Sequence, residues 1–479
     1  MYKIDWEKYL KDTRERDSSI KGNYDATGAD KRNPFESDLG RVFFSSALRR
    51  MHDKTQVIPL TSGDYVHTRL THSIEVMNIA QSIANNITRS EDFIALYGPE
   101  KAFEYEKSIS AILRAASIVH DIGNPPFGHF GEDAIKDYFA SGEGKDYLKD
   151  IEDTRKLDFT QFDGNAQGLR VLSKLQYLGD LKGLNLAHGT LGAYIKYPNY
   201  GQAEKNAYIG KHKHGVFFSE KNVLENVAEN CSLKTNGDVI KRHPLVFIVE
   251  AADSICYDIM DLEDALSMGW IEFGDMLEKI SVSMTSESNR VLRVEDVVEF
   301  KYDSKSSLKK NIVNFRVKVI QYLVDLTTKN FIENLEAIDA GTYKKELIRD
   351  DANSLAKSLQ DYACTYFYTN RNIVSAELTG NTIITGLLNI VLKYVFSDNK
   401  DFRKRIKMVM SENVIRLNYL ENKETNNNLT ADPVLGPLSK IDFQVMDSYN
   451  KLKMVIDWIS GMTDKYALEV YQRLSGAAL

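Results

Sequence analysis

The stretch AILRAASIVHDIGNPPFGHFGE, residues 111–132, changes character at its middle. Its first half is nearly apolar and reads as a buried helix, ending in a histidine and an aspartate, His120 and Asp121. The second half cannot continue that helix, because Gly123, Pro125, Pro126 and Gly128 break it into a tight loop. Phe127 and Phe130 would anchor the loop, and His129 and Glu132 stand one helical turn apart. A histidine and a carboxylate at that spacing suit a general acid/base pair. The plainer alternative is a helix beginning at Gly131, with Glu132 favouring its positive end.

A carboxylate at the end of an apolar helix is costly unless it meets a cation, a metal or hydrogen-bond donors. Two other segments pose related problems. LTHSIEVMNIAQSIANNI (70–87) carries His72 on a helix whose apolar face is read through Leu70, Ile74, Met77, Ile83 and Ile87. HPLVFIVEAADSICYDIMDLEDAL (243–266) starts with a proline suited to a first turn and places Asp253 in an apolar run. The simplest joint solution is one divalent cation held by His72, His120, Asp121 and Asp253. Two imidazoles and two carboxylates suit Mn²⁺, Mg²⁺, Fe²⁺, Zn²⁺ or Co²⁺, with positions left for water and a substrate oxygen. Each residue taken alone also has an ordinary structural reading, as a satisfied core histidine or a buried ion pair.

Further helices are expected in 308–338 and 380–396, loops or short strands in 281–307, and a loop in 421–437. With only nine prolines among 479 residues, the chain reads as all-α with minor β-structure. Residues 1–275 are expected to form the catalytic core with an N-terminal extension. Residues 276–479 would be a mainly helical part packed on it, whose long apolar helices offer surfaces for oligomerisation.

Hydrophobic residues at 43% exclude wholesale disorder. A net charge of −7 argues against a protein that coats nucleic acid. Cys231, Cys256 and Cys364 are too few and too scattered for a disulfide framework or a zinc ribbon. The charged opening MYKIDWEKYLKDTRERD shows no signal-peptide pattern, and no 18 consecutive apolar residues occur. A cytoplasmic protein without a membrane span is expected.

The histidine–aspartate pair, with a preceding helical histidine and a distant aspartate, resembles the HD-domain metal-dependent phosphohydrolases. The blocks KTQV (54–57), HTRLTHSIEV (67–76), HDIGNPPFGHFGE (120–132), NAQGLR (165–170), LGAYIKYP (191–198) and AADSICYDIMDLEDA (251–265) together resemble one branch of them, the deoxyguanosinetriphosphate triphosphohydrolases. The resemblance implies hydrolysis of a deoxynucleoside triphosphate, dGTP by the family name, to deoxynucleoside and inorganic triphosphate, with water attacking the α-phosphorus. It places the metal ligands on His72, His120, Asp121 and Asp253, and the catalytic pair on His129 and Glu132. It also places a phosphate contact on Arg69 and sugar contacts on Gln56, Tyr257 and Asp261.

Arg69 lies three residues before His72 and can share its helix face. Asp253, Tyr257 and Asp261 recur every four residues and line one stripe. An aromatic ring against the sugar's 2′-carbon would exclude a ribose hydroxyl, although a core aromatic is an equally ordinary reading of Tyr257. Lys196, Lys211, His212, Lys213 and His214 form a locally basic interval that reads as a triphosphate rim or as a solvated charge run. Arg371 and Glu377 fall in a segment that the family uses near the nucleotide. LNLAHGTLGA (184–193) carries His188-Gly189 where the family pattern has a tyrosine–alanine type pair, which bears on pocket shape and base preference.

The resemblance also implies a homo-oligomer, with a hexamer as one arrangement. Single-stranded DNA is a partner that the net charge does not indicate. The alternatives are another HD-type nucleotidase or phosphodiesterase, and a catalytically silent nucleotide- or single-strand-DNA-binding regulator. Asn124, where a two-metal phosphodiesterase usually calls for a further histidine, weighs against the phosphodiesterase.

Overall fold

The structure, a computed structural model, describes residues 1–16, 30–57, 59–60, 67–176, 179–205, 208–235, 239–284, 293–303, 305–349, 355–426, 429, 432, 434 and 436–477. It is all-α. Among the described residues, β-structure amounts to three isolated antiparallel bridges, Arg14 with Ala187, Thr55 with Thr68 and Lys234 with Ile240. The helices that position the site are α1 (Arg69–Thr88), α2 (Pro99–Ile118), α3 (His129–Ala140), α4 (Gly164–Ser173), α5 (His188–Tyr194), α6 (Pro244–Ser267), α7 (Leu308–Glu333), α8 (Arg371–Val395), α9 (Glu412–Thr425), α10 (Ser448–Ser460) and α11 (Asp464–Ser475).

Helix α1 begins where Thr68 and Thr71 satisfy each other's backbone amides. Its inward stripe runs through His72, Val76, Ile79, Ala80, Ile83 and Ile87, and Ile74 is exposed. The face expected from Leu70, Ile74 and Met77 is therefore rotated, and the true stripe carries His72 into the core. Helix α2 starts at Pro99 and is buried along Ile109–Ile118, packing on α1. It ends one turn earlier than its apolar sequence suggests, so His120 and Asp121 lie in the turn beyond it and not on the helix. Pro244 opens α6, which is buried nearly all round and crosses both α1 and α7.

The interval 281–307 holds a short helix, Val294–Val297, and no strand among its described residues; 285–292 and 304 lie outside them. Helix α9 runs on to Thr425, five residues into the segment read as a loop, and 427, 428, 430, 431, 433 and 435 of that segment are also outside the described residues. The 308–338 segment breaks at Asn334, and α8 begins nine residues before Gly380.

Among the described residues two large apolar cores result, with a small third cluster of Ala265, Phe367 and Ile373. The larger joins α1, α2, α5, α6 and α7. The second joins Phe127 and α3 to α8, α9, α10 and α11. Helix α8 is long and apolar enough to cross a membrane by length and composition, but Ile383, Ile384, Leu387, Leu388, Val391 and Val395 are buried in this second core. Between the two cores lies the 119–128 turn. All three cysteines are free thiols.

Candidate active site and metal centre

Three elements converge at one point. His72 projects from α1, His120 from the turn after α2 and Asp253 from α6, and one donor atom of each lies within 4.8 Å of the others. His72 Nε2 is 3.1 Å and His120 Nε2 is 3.4 Å from the same oxygen, Asp253 Oδ1. Among the described residues, no other histidine, cysteine, aspartate and glutamate side chains form such a group.

Asp121 is adjacent but turned. Its Oδ1 is 3.5 Å from His120 Nε2 and accepts from Asn124 Nδ2 at 2.7 Å, while its Oδ2 pairs with Arg69 Nη1 at 2.5 Å.

The donor set fits a cation. His120 Nδ1 is 2.8 Å from the Ser117 carbonyl, which makes Nδ1 the protonated nitrogen and leaves a lone pair on Nε2. That buried Nε2 has no hydrogen-bond partner and faces carboxylates. Such a juxtaposition calls for positive charge. A proton on Nε2 answers the same need: burial disfavours the charged imidazole, yet Asp121 and Asp253 outweigh it and hold His120 up to about 9, and a cation would take that proton's place. Burial likewise works against the Asp253 carboxylate, and His120 and His72 nevertheless keep it well below the usual range.

His129 is the first residue of α3, and its Nδ1 is 3.2 Å from Glu132 Oε2. The histidine is exposed to the cavity and the glutamate is buried, with Oε1 accepting the Gly164 amide at 2.9 Å. The hydrogen bond that the ring donates to Glu132, followed by the charge of that carboxylate, raises the His129 pKa. A Cβ on Gly164 would fall 2.5 Å from Glu132 Oε1, so a larger residue would push the carboxylate off its donor.

Phe127 and Gly128 both have positive φ, 64° and 59°, and together they turn the chain sharply into α3. A Cβ on Gly128 would sit 2.3 Å from Arg69 Nη2. Gly128→Ala is therefore expected to cost about 1–2 kcal/mol of backbone strain and to displace Arg69. Thermal unfolding would show the first effect, and a KM increase for the nucleotide the second.

Arg69, His120, Asp121, His129, Glu132 and Asp253 share one cavity of about 500 Å³, also lined by Gln56, Tyr194, Lys196, Tyr197, Lys213, Glu250, Tyr257, Asp261, Tyr368 and Glu377, while the buried His72 lies outside the lining. Tyr257 and Asp261 lie along α6 beyond Asp253, as one stripe. Lys196 is 3.5 Å from Glu250, and Lys213 is 3.0 Å from Asp163.

Several residues of the sequence reading fall elsewhere. Lys211 does not line the cavity and pairs with Glu204 at 3.5 Å. His214 is buried against Asp158 at 2.9 Å, a structural contact and not part of a rim. Arg371 stands exposed at the start of α8, outside the lining, whereas Glu377 one and a half turns on is in it. His188 also lies outside the lining, bonded to Thr13 and Glu15, so the departure at 188–189 does not reshape the cavity.

Other residues were missed. Tyr368 donates to Asp261 Oδ2 at 2.5 Å, and burial lifts Asp261 to about 6. Arg349 and Gln360 both donate to the Tyr257 hydroxyl, at 2.7 and 2.9 Å. Only the chain's return from about 100 residues away brings them here, and no local pattern marks them.

A helical core in which two histidines and an aspartate meet beside a histidine–carboxylate pair defines a metal-dependent hydrolase of the HD type. Residues 69–162 match the HD domain family, and residues 430–473 match the phosphohydrolase-associated domain. A deoxyguanosinetriphosphate triphosphohydrolase-like protein of Listeria monocytogenes is 33% identical over 98% of this chain and 99% of its own. A like-named protein of Pseudomonas aeruginosa is 31% identical over 99% of both chains, and the deoxyguanosinetriphosphate triphosphohydrolase of an Enterobacter species is 31% identical over 92% and 93%. The chain belongs to the deoxyguanosinetriphosphate triphosphohydrolase family.

Proposed function

We propose that the cavity hydrolyses a deoxynucleoside triphosphate, dGTP foremost, to deoxynucleoside and intact inorganic triphosphate by attack of water on the α-phosphorus. The observation that supports this most is one 500 Å³ cavity lined by His120 and Asp253, with the buried His72 completing their group, by the His129–Glu132 pair and by the cations Arg69, Lys196 and Lys213. The preference for guanine follows the names of the relatives.

His72, His120 and Asp253, with Asp121 beside them, would hold a divalent cation, Mn²⁺ or Mg²⁺ before Fe²⁺, Zn²⁺ or Co²⁺. Such an ion polarises phosphoryl oxygens and lowers the pKa of water. Arg69, buried and anchored through Asp121, offers guanidinium donors to the phosphates, and Lys196 and Lys213 spread further positive charge over them. Glu132 raises the His129 pKa and so favours the imidazolium, whose proton would pass to the departing 5′-oxygen.

The Tyr257 hydroxyl accepts two hydrogen bonds, which directs its own proton towards the ligand. Asp261 and Gln56 offer acceptors for the sugar, and Gln56 Oε1 is buried without a partner. Tyr257→Phe is expected to raise KM several-fold, about 1 kcal/mol for one lost neutral hydrogen bond, with kcat changed less. Steady-state kinetics on dGTP would read both.

The test is to incubate the protein with each of four deoxynucleoside triphosphates and GTP under Mn²⁺ or Mg²⁺, and to separate the products. Triphosphate with deoxynucleoside is expected, and GTP should be spared. Pyrophosphate or orthophosphate as the first product would overturn the reading. We also infer self-association, supported by Tyr366 just before α8 and Val374 and Leu378 within its first turns, all exposed, in the stretch that carries the cavity residue Glu377. Native mass spectrometry should find an oligomer, and a monomer at micromolar concentration would contradict it.

A further inference from the structure

We propose that Asp464, at the start of α11, is a positioning residue that clamps two walls of the catalytic cavity from the far end of the chain. This inference rests on the hydrolytic reading of the cavity. Asp464 is buried, and both of its oxygens are committed. Oδ1 accepts the Phe127 amide at 2.9 Å; Oδ2 accepts the Thr55 amide at 2.9 Å and the Thr55 hydroxyl. The two partners belong to irregular segments that line the cavity. Phe127 sits at φ 64°, immediately before Gly128 and His129. Thr55 precedes Gln56 and forms the isolated bridge with Thr68 at the head of α1.

A second brace runs in parallel. The buried Lys54 ammonium donates to the Asn124 carbonyl at 2.5 Å and to the Ser460 carbonyl at the end of α10 at 2.8 Å. Lys54 also accepts the Arg69 amide on its own carbonyl at 2.9 Å. The turn between α10 and α11 thereby reaches both the segment carrying Gln56 and Arg69 and the turn carrying His129. Asp464 touches none of the reacting groups. Its carboxylate fixes the left-handed turn that sets where His129 emerges, and the strand-like segment that sets where Gln56 points. A carboxylate with three donors holds such a loop better than a neutral group. The consequence is a division of labour: α1, the turn after α2 and α6 build the cation group, and the C-terminal helices hold the acid and the sugar contact in register with it.

Three readouts on the full-length protein test this: dGTP turnover with Mn²⁺, Mn²⁺ binding by calorimetry, and amide hydrogen exchange by mass spectrometry. In Asp464→Ala, kcat should fall roughly tenfold to a hundredfold, the size expected for a misplacement of about 1 Å. Mn²⁺ binding should be unchanged, and exchange should accelerate in peptides covering 55–57 and 124–130 while α1, α2 and α6 keep their protection. Accelerated exchange with wild-type kcat, or reduced kcat with unaltered exchange, would overturn the proposal. Loss of Mn²⁺ binding together with kcat would also do so, by making the role merely structural.

Should the alanine variant fail to fold, Asp464→Asn and Thr55→Val decide the matter. Asparagine can still accept from Phe127 but turns an amide donor towards the Thr55 donors. Its exchange increase should centre on 55–57, with a smaller fall in kcat; wild-type behaviour in both variants would refute the clamp. If the wild-type protein releases no triphosphate, the hydrolytic reading fails, while exchange still reports whether Asp464 holds the two segments.

Discussion

Asp253→Ala is expected to abolish both cation binding and turnover. The carboxylate is the one group on which His72 and His120 both converge, through a single oxygen, and it is the sole contribution of α6 to the group. Its removal leaves two imidazoles facing each other at a ring separation of 5.3 Å, with Asp121 already engaged by Arg69 and Asn124. Two neutral nitrogens do not replace an anionic ligand, and affinity should fall by at least about a hundredfold. The charge stabilisation supplied by a bound cation is several kcal/mol, so kcat should fall by about 10³ or more.

A readout independent of chemistry is available for the same variant. A ligand at about 100 times its Kd stabilises the folded state by about 2.7 kcal/mol, so Mn²⁺ should raise the wild-type Tm and leave that of Asp253→Ala unmoved. A variant that keeps the Mn²⁺ shift would show that the ion binds elsewhere.

His129→Ala gives the second large effect, and it separates acid catalysis from cation binding. The imidazole stands in the cavity at the head of α3, outside the His72–His120–Asp253 group. Its loss should cost about 10²–10⁴ in kcat, the usual range for a positioned proton donor, with the Mn²⁺-dependent rise in Tm retained. The pH dependence follows from Glu132. The carboxylate raises the His129 pKa, so the imidazolium, and with it the donated proton, persists below that raised value and is lost as pH climbs through it. Glu132→Gln withdraws the charge, lowers the pKa and moves the alkaline limb of kcat to lower pH. The variant should then be closer to wild type at pH 6 than at pH 8. A limb that moves upward, or does not move, would assign the proton to another group.

Much of the site is legible in the sequence, because its chemistry imposes unusual residues on short stretches. Two glycines and two prolines after a buried helix announce the turn that carries His120 and Asp121 at one end and His129 at the other. The four-residue steps of Asp253, Tyr257 and Asp261 require only a straight helix, and α6 provides one. What the sequence hides depends on tertiary return. The rotation of α1 that buries His72 and exposes Ile74 is set by its neighbours α2 and α6, since a broad apolar face does not choose its own centre. Arg349, Gln360 and Tyr368 resemble any polar residues of an amphipathic segment until they reach Tyr257 and Asp261. Lys211 and His214 show the converse. A run of basic residues predicts local charge, but Glu204 and Asp158, both outside the cavity lining, claim those side chains.

The central claim is that water attacks the α-phosphorus beside the His72–His120–Asp253 group while His129 releases the 5′-oxygen. Hydrolysis of dGTP in ¹⁸O-labelled water, with mass analysis of both products, tests it most directly. One ¹⁸O per inorganic triphosphate and none in deoxyguanosine is the predicted result; label in the 5′-hydroxyl, or in released orthophosphate or pyrophosphate, would contradict it.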